Sequence, residues 1–154
     1  MNEKKGYNQT IITNSVAETD EFAIDFTKWL VLNKKSSSKN VICLRGNLGA
    51  GKTTFVKAFT HGLGVDSSIV KSPTYTYFRR YSVGDMYIYH FDYYRLEHLY
   101  NHDIEEFLEI LNNDNVFILI EWPDRLEQHL PDNRYEVQLD VIDKNKRKIV
   151  INEI

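Results

Sequence analysis

The pattern of apolar and polar positions along the chain predicts strands and helices in alternation. Continuous apolar runs at residues 41–44 and 116–120 are typical of strands that are buried on both faces. Apolar residues at helical spacing predict one helix to about residue 32, starting after Ser15 and Glu18, which have capping-box spacing. The same spacing predicts a helix at residues 103–111. The predicted inward positions of these two helices are Phe22, Phe26, Trp29, Leu30, Ile104, Phe107, Leu108 and Leu111.

Two pairs of shorter runs predict β-hairpins. Residues 76–81 and 86–91 flank a turn at residues 82–85, and residues 134–141 and 147–151 flank a second turn. A strand at residues 10–13 and a short helix at residues 123–129 complete the order, and residues 1–8 are expected to fray. Because hairpins add antiparallel strands to those that crossover helices connect, the sequence predicts an α/β fold, a three-layer sandwich with a mixed central sheet.

Composition and charge exclude several classes of protein. A chain of 154 residues with 42% hydrophobic and 27% charged residues predicts a single domain, residues 1–154. No apolar run reaches 18 residues, so no membrane span is expected. The single cysteine, Cys43, excludes an internal disulfide and fits the reducing cytoplasm, where we expect the protein. A net charge of −3 argues against a broad nucleic-acid-binding surface.

Residues 46–53 fit the pattern G-x-x-x-x-G-K-[ST], which is typical of a phosphate-binding P-loop. An apolar run precedes the segment and a helical pattern follows it, which is the strand–loop–helix context that the motif requires. Glycines let backbone N–H groups approach a polyphosphate, and the new helix directs the positive end of its dipole at the anion. The sequence therefore predicts a P-loop NTPase fold. The predicted nucleotide-binding residues of the loop are Asn47, Leu48, Gly49, Ala50, Gly51, Lys52, Thr53 and Thr54.

Two side chains of the loop suit magnesium ATP. Lys52 supplies a cation to the β- and γ-phosphates, and the Thr53 hydroxyl is placed to bind Mg²⁺. The guanine-reading motif N-K-x-D has no match, because residues 33–36 read Asn-Lys-Lys-Ser. ATP and Mg²⁺ are therefore the expected cofactors.

Two carboxylates follow predicted strands and could complete the site. Glu121 comes directly after the apolar run 116–120, which is typical of an acid that holds Mg²⁺ or its waters; alternatively, it only marks where the strand meets solvent. Asp92 follows the strand at residues 86–91, and it orients the attacking water, adds to metal binding, or caps the next segment. Lys52, Asp92 and Glu121 are the candidate catalytic residues, and Thr53 and Glu121 are the candidate metal ligands.

Other residues keep more than one interpretation. Residues 72–74 occupy the place of a loop that senses the γ-phosphate in many P-loop proteins, or they form an ordinary connection. Trp122 is either a core residue or a lid over the site, and Arg95 pairs either with Asp92 or with phosphate. His90, inside a predicted strand, is expected to be a hydrogen-bonded structural residue and not a metal ligand.

Four segments together resemble those of a known protein family. They are residues 46–54, residues 72–75 (Ser-Pro-Thr-Tyr), residues 90–96 (His-Phe-Asp-Tyr-Tyr-Arg-Leu) and residues 120–123 (Ile-Glu-Trp-Pro). Their order and spacing are similar to those of the bacterial TsaE family, the small ATPases of tRNA threonylcarbamoyladenosine biosynthesis. The resemblance extends from about Thr13 to the closing hairpin, and the combination of segments is far more specific than a P-loop alone.

The resemblance implies an ATPase, slow in isolation, that acts with TsaB- and TsaD-like proteins. These partners install threonylcarbamoyl on the adenosine next to the anticodon of ANN-decoding tRNAs, so that contact with tRNA is indirect and ATP hydrolysis serves multiple turnover. The resemblance also implies that Asp92 and Glu121 are the functional acids, that Trp122 lies beside the nucleotide, and that Thr19 lies near the base. The implied switch-like loop is Ser72, Pro73 and Thr74.

One stretch departs from the family pattern. Members usually carry an acidic stretch with Leu and Gly after Tyr-Arg-Leu, whereas residues 97–103 read Glu-His-Leu-Tyr-Asn-His-Asp, and no Gly lies between them and Val116. The departure concerns the local loop and any partner contact made there. It leaves the nucleotide motifs unchanged.

Two other functions remain open at this point. One is a small-molecule kinase on a P-loop scaffold, which needs an acceptor pocket and usually an arginine-bearing lid. Arg79 and Arg80 lie in a predicted strand, so the sequence shows no such lid. The other is a non-catalytic, nucleotide-gated adaptor.

Overall fold

The computed structural model describes residues 6–33, 39–70 and 77–154, which form seven strands, three α-helices and one 3₁₀ helix. The strands are β1 (Asn8–Thr13), β2 (Asn40–Arg45), β3 (Phe78–Val83), β4 (Met86–Asp92), β5 (Val116–Glu121), β6 (Tyr135–Val141) and β7 (Arg147–Glu153). The helices are α1 (Val16–Asn33), α2 (Lys52–Gly62), α3 (Asn101–Leu111) and the 3₁₀ helix Pro123–His129. Every predicted element is present, although several ends differ by a few residues.

The seven strands form one mixed sheet in the order β1-β7-β6-β2-β5-β4-β3. Strands β6, β2, β5 and β4 run parallel at its centre. The two predicted hairpins add the antiparallel strands, since β3 pairs with β4, and β7 pairs with both β6 and β1. β2 and β5 are neighbours, so the P-loop and Glu121 emerge at the same end of the sheet.

Buried side chains form one core on each face of the sheet. In β2, Ile42 and Leu44 belong to the core beneath α1 and α2, whereas Val41 and Cys43 belong to the core that contains residues of α3. This alternation explains why residues 41–44 are apolar throughout, because both faces of the central strands are covered. Helices on both sides of a mixed sheet confirm the predicted three-layer α/β sandwich.

Two expectations drawn from composition concern Cys43 and membrane spans. Burial raises the pKa of the Cys43 thiol to about 12, so the side chain is a packing residue and not a nucleophile. Within the described ranges, none of the helices has the length and apolar character that crossing a membrane requires.

One predicted helical face is wrong: Leu108, expected to face inward, is 39% exposed. The buried side chains of α3 are Asp103, Phe107, Ile110 and Leu111. Asp103 begins this stripe because its Oδ2 accepts a hydrogen bond from the Tyr100 N–H (2.9 Å) and closes the start of the helix. Because the first buried residue, Asp103, is polar, the apolar pattern does not include it. The pattern therefore places part of the inward face of α3 one residue away from its true position.

The sheet also begins earlier than predicted. Tyr7 packs against Phe26 and Trp29 of α1, with ring centroids 4.7 and 4.8 Å apart, and its N–H donates to Glu153 Oε2 (2.7 Å). Strand β1 accordingly starts at Asn8, where the sequence predicted a frayed terminus. The contact with Glu153 joins the two ends of the chain, and a local pattern cannot reveal it. Residues 1–5 lie outside the described residues.

Candidate functional site

The loop between β2 and α2 has a backbone that depends on glycine. Gly51, directly before the helix, has a φ of 102°, which lies in the left-handed region. Gly46 lies so close to β6 that a Cβ there would come 2.5 Å from Leu139 O. The Ala50 N–H donates to Asn47 O (3.0 Å) and closes the loop. The spacing of glycines in the motif therefore has a steric cause in this fold.

Lys52 is held inside the loop. Its Nζ donates hydrogen bonds to Gly46 O (2.5 Å) and Asn47 O (3.0 Å), and the residue is only 5% exposed. Burial lowers the pKa of Lys52, an effect that the charges of Glu121 and Asp92 oppose. An ammonium group has three N–H donors, and the loop carbonyls take two of them. Lys52 can therefore hold the loop and still donate to an anion.

Glu121 is fixed from two sides at the end of β5. Its Oε1 accepts a hydrogen bond from the Thr53 hydroxyl (2.9 Å), in the first turn of α2. Its Oε2 lies 2.5 Å from His90 Nε2, on β4. The residue is 2% exposed, so the alternative that Glu121 only marks the exit of the strand into solvent is wrong.

Asp92 is the register partner of Glu121 in the neighbouring strand β4, so the two acids lie side by side. Its N–H donates to Tyr77 O (2.8 Å), and its Oδ1 accepts from the Tyr94 N–H (3.1 Å). The second contact caps the segment that follows, which was one of the expectations for Asp92. The side chain also lines the same cavity as Glu121, so it can act there as well.

Trp122 forms a wall of the site. Its backbone has φ 56° and ψ 57°, a left-handed conformation that is costly for a bulky aromatic residue and is typical of functional sites. The ring lies 4.2 Å from Lys52 Nζ and packs against Tyr94, with ring centroids 5.0 Å apart. Trp122 is partly buried, packs against the core that contains residues of α3, and also lines the cavity, so both the core and the lid interpretation remain.

These elements enclose a cavity of about 480 Å³, a size typical of small-molecule sites. Its lining residues are Leu48, Gly49, Gly51, Lys52, Thr53, Thr54, Asp92, Tyr94, Arg95, Glu121 and Trp122. The structure thus brings together most of the predicted site residues. Tyr94 was missed, and its signal in the sequence was its position two residues after Asp92, just beyond the end of β4.

Thr19 lies apart from this cavity. Its hydroxyl is 2.7 Å from the Thr13 hydroxyl, and the residue lines a smaller cavity of about 130 Å³ that shares Gly49, Gly51 and Thr54 with the larger one. The opposite wall is the β6–β7 turn, with Lys144, Asn145 and Arg147. The Arg147 Nε–H donates to Ala50 O (3.0 Å) and ties this turn to the P-loop. Sequence reasoning missed the turn, because only the sheet topology brings it to the loop.

The predicted switch-like loop of Ser72, Pro73 and Thr74 lies outside the described residues. Tyr77, the first described residue after it, accepts the hydrogen bond from the Asp92 N–H. The role of residues 72–74 stays a prediction.

The oxygen donors of the cavity fit a magnesium ion. Phosphate oxygens would complete its coordination. Thr53 and Glu121 place a hydroxyl and a carboxylate 2.9 Å apart, and Asp92 adds a second carboxylate nearby. In the described part of the chain, no three His, Cys, Asp or Glu side chains form a metal-binding group of their own. Magnesium is commonly held by one or two carboxylates together with substrate phosphates, so a full protein cage is not required.

Comparisons with known proteins show which family the sequence matches. The TsaE family profile, described as "Threonylcarbamoyl adenosine biosynthesis protein TsaE", matches residues 13–149. Similar proteins named "tRNA threonylcarbamoyladenosine biosynthesis protein TsaE" include one from Bacillus subtilis (strain 168), 37% identical over 118 residues that cover 75% of this chain and 70% of that protein. Another, from Aquifex aeolicus (strain VF5), is 33% identical over 144 residues that cover 92% of this chain and 93% of that protein.

A solved structure shares the whole fold. The crystal structure of YdiB from Bacillus subtilis matches with a TM-score of 0.71 at 25% sequence identity. The match covers 99% of this chain and 89% of that one. The likeness therefore extends over all three layers and both hairpins, and not only over the P-loop.

Proposed function

Because this chain belongs to the TsaE family, we propose that it is the Mg²⁺-dependent ATP-binding and ATP-hydrolysing subunit of a cytoplasmic tRNA-modification system. The family acts in the biosynthesis of threonylcarbamoyladenosine in tRNA. The proposed products are ADP and phosphate. The proposed partners are TsaB- and TsaD-like proteins that modify ANN-decoding tRNAs, with tRNA contacted through them.

One geometric relationship carries the ATPase proposal. Lys52 and Thr53, in the first turn of α2, share a cavity with Glu121 at the end of β5, and the Thr53 hydroxyl bonds directly to that carboxylate. A hydroxyl that donates to a buried acid keeps its lone pairs available for a metal ion. This is the arrangement in which a P-loop threonine and a strand-end acid hold Mg²⁺ between them in P-loop NTPases.

The residues of the loop would bind and orient the phosphates. Lys52 and those backbone N–H groups of residues 47–54 that the loop does not itself use would donate to the β- and γ-phosphate oxygens, and the start of α2 contributes its positive dipole end. Thr53 and Glu121 would hold the magnesium ion. When bound, Mg²⁺ supplies positive charge to the phosphate oxygens during phosphoryl transfer.

Asp92 and Arg95 complete the proposed roles. Asp92 lies beside Glu121 and is assigned to orient the attacking water, since a carboxylate accepts hydrogen bonds from it. Two carboxylates add to the negative charge around a triphosphate, which Lys52 and Mg²⁺ would balance in part. Arg95, in the wall of the same cavity, is proposed to supply a second side-chain cation to the phosphates; the alternative pairing with Asp92 stays a prediction.

A phosphate-release assay with the purified chain tests the chemistry. With Mg²⁺ and ATP but no acceptor, we expect ADP and free inorganic phosphate in equal amounts at a slow rate. A small-molecule kinase would give little free phosphate until an acceptor is added. Nucleotide binding without any turnover, alone or with partners, would instead support the adaptor.

Reconstitution tests the cellular role. The chain is combined with purified TsaB- and TsaD-like proteins from the same organism, tRNA and ATP, and modified adenosine is counted per complex. We expect more than one turnover only when the chain and hydrolysable ATP are both present. Equal yields with and without this chain would remove it from the modification cycle.

A further inference from the structure

His90 is a buried imidazole whose one described polar contact is an acid of the proposed site. It is 0% exposed, in the middle of β4, and its Nε2 lies 2.5 Å from Glu121 Oε2. Its Nδ1 is buried and, within the described ranges, has no hydrogen-bond partner. Among the described residues, the hydrogen bond between Nε2 and Glu121 is therefore the polar interaction of the ring.

The direction of this hydrogen bond follows from the chemistry of the two groups. A carboxylate that binds Mg²⁺ is ionised and only accepts hydrogen bonds, so the proposed function makes the His90 Nε2 the donor. In a neutral imidazole, this assignment leaves Nδ1 without a proton, so that no N–H group of the ring is buried without an acceptor among the described residues. The Glu121 carboxylate is thus bonded by two donors on different elements, His90 on β4 and Thr53 on α2.

Two fixed donors determine the orientation of the carboxylate. With Oε2 held by His90, the carboxylate cannot rotate without giving up a buried charge-assisted hydrogen bond. Oε1 is consequently kept against the Thr53 hydroxyl, at the position where the proposed function requires a metal ligand. Loss of a group that orients a metal ligand in this way lowers metal affinity roughly ten- to a hundred-fold.

From these two hydrogen bonds to Glu121 we propose that His90 is a positioning residue, which sets the Mg²⁺ affinity of the nucleotide site by orienting the Glu121 carboxylate. The inference rests on the proposed function, because it concerns the metal that accompanies the nucleotide. It goes beyond a structural role for His90. A structural histidine would affect folding and all nucleotide binding alike, whereas a positioning residue affects the metal-dependent part.

Two amide variants separate these roles while keeping a polar group at the site. In His90→Gln the side-chain amide reaches the place of Nε2 and can still donate to Glu121. In His90→Asn the shorter side chain ends near the place of Nδ1 and cannot. The probe is ADP, measured by calorimetry first in EDTA and then in a titration with MgCl₂.

We expect the Mg²⁺ concentration needed for half-maximal enhancement of ADP binding to rise roughly ten- to a hundred-fold in His90→Asn. His90→Gln should stay close to the wild type. Affinity for ADP in EDTA should be the same in all three proteins, and thermal unfolding shows that each variant folds. A purely structural residue would not give this split between the two conditions.

Two results overturn the inference: an unchanged Mg²⁺ requirement in a folded His90→Asn, or equal losses in EDTA and in Mg²⁺. If neither amide variant folds, His90 is needed for the fold itself and the positioning role is rejected. The proposed function fails separately, when the wild-type chain binds no ADP at all or binds it with no effect of Mg²⁺.

Discussion

The Lys52 ammonium lies 4.2 Å from the centroid of the Trp122 ring, while its N–H groups donate to the P-loop carbonyls. A cation in front of an indole face gains roughly 0.5–2 kcal/mol, depending on how far it is removed from water. Phosphate would compete for the same ammonium. Trp122 is therefore an internal reporter of the state of Lys52.

Nucleotide binding should change the fluorescence of Trp122. The chain has two tryptophans. Trp29, on α1, packs against Tyr7 and not against Lys52. We expect Trp122→Phe to lose most of the ADP-induced change in emission, because the fluorescent indole beside Lys52 is replaced by a phenyl ring. Trp29→Phe is the matched control and should keep the change. A signal that survives in Trp122→Phe and vanishes in Trp29→Phe would assign the nucleotide response to the other face of the protein.

Lys52→Ala should weaken the binding of magnesium ATP about ten- to a hundred-fold. The lost charge-assisted hydrogen bond is worth about 1.5–3 kcal/mol. Lys57→Ala is a suitable control, because Lys57 is exposed on the same helix. Calorimetry measures affinity, and thermal unfolding checks the loop, since Lys52 also bonds to Gly46 O and Asn47 O. Equal affinities in the two variants would contradict the assignment of Lys52 to the phosphates.

The two acids should separate metal binding from hydrolysis. Glu121→Gln should raise the Mg²⁺ requirement of nucleotide binding, because Glu121 is the acid bonded to Thr53. Asp92→Asn should slow phosphate release and spare ADP binding, because its proposed partner is the attacking water. Titration of Mg²⁺ against each variant measures the Mg²⁺ requirement of nucleotide binding. Phosphate-release assays then measure the rate of hydrolysis. Loss of the Mg²⁺ effect in Asp92→Asn alone would show that the roles are reversed.

The loop and the two acids could be predicted because their signals are local. The spacing of glycines in the P-loop indicates the backbone conformation of a few neighbouring residues. Asp92 and Glu121 each follow a strand that is visible in the sequence as a largely apolar run. Neighbouring parallel strands end on the same side of a sheet, which brings such acids together without knowledge of the full strand order.

The contacts that orient these groups could not be predicted in the same way. His90 and Glu121 are 31 residues apart, and Arg45 and Glu136 are 91 apart. Both pairs depend on the strand order β6-β2-β5-β4, which apolar patterns do not determine. For the same reason, the apolar pattern does not indicate that the β6–β7 turn lies against the P-loop.

Stability should fall in acid through Glu136. Burial alone would raise the pKa of Glu136, but hydrogen bonds from Arg45 and Arg134 (2.7 Å each) lower it below its ordinary value of 4.5. A lowered carboxyl pKa stabilises the fold above that ordinary value, and the contribution is lost as the pH falls through the folded-state pKa. Glu136→Gln should therefore destabilise the protein at pH 7 by about 1.5–3 kcal/mol, with a difference that shrinks in acid.

Urea unfolding of the wild type and Glu136→Gln across this pH range measures the effect. Glu127→Gln is the matched control, because it removes a more exposed partner of Arg45, with a side chain 54% exposed against 18% for Glu136. Exposed ion pairs contribute about 0–1 kcal/mol, so this variant should change little. A constant difference between wild type and Glu136→Gln at every pH would contradict the proposed linkage.

The isolated chain should bind tRNA only weakly, because its net charge is −3 and the exposed basic group at the β6–β7 turn is small. Lys144, Lys146 and Lys148 are exposed at the β6–β7 turn, but the Arg147 guanidinium there is engaged with backbone carbonyls, including Ala50 O. Three lysines on a chain of net charge −3 neutralise few phosphates, so we expect dissociation constants above about 1 µM at physiological salt. Filter binding with purified tRNA, with and without ATP, measures this. Submicromolar affinity that a Lys144→Ala, Lys146→Ala, Lys148→Ala triple variant abolishes would falsify the partner-dependent picture and make this turn a tRNA-binding patch.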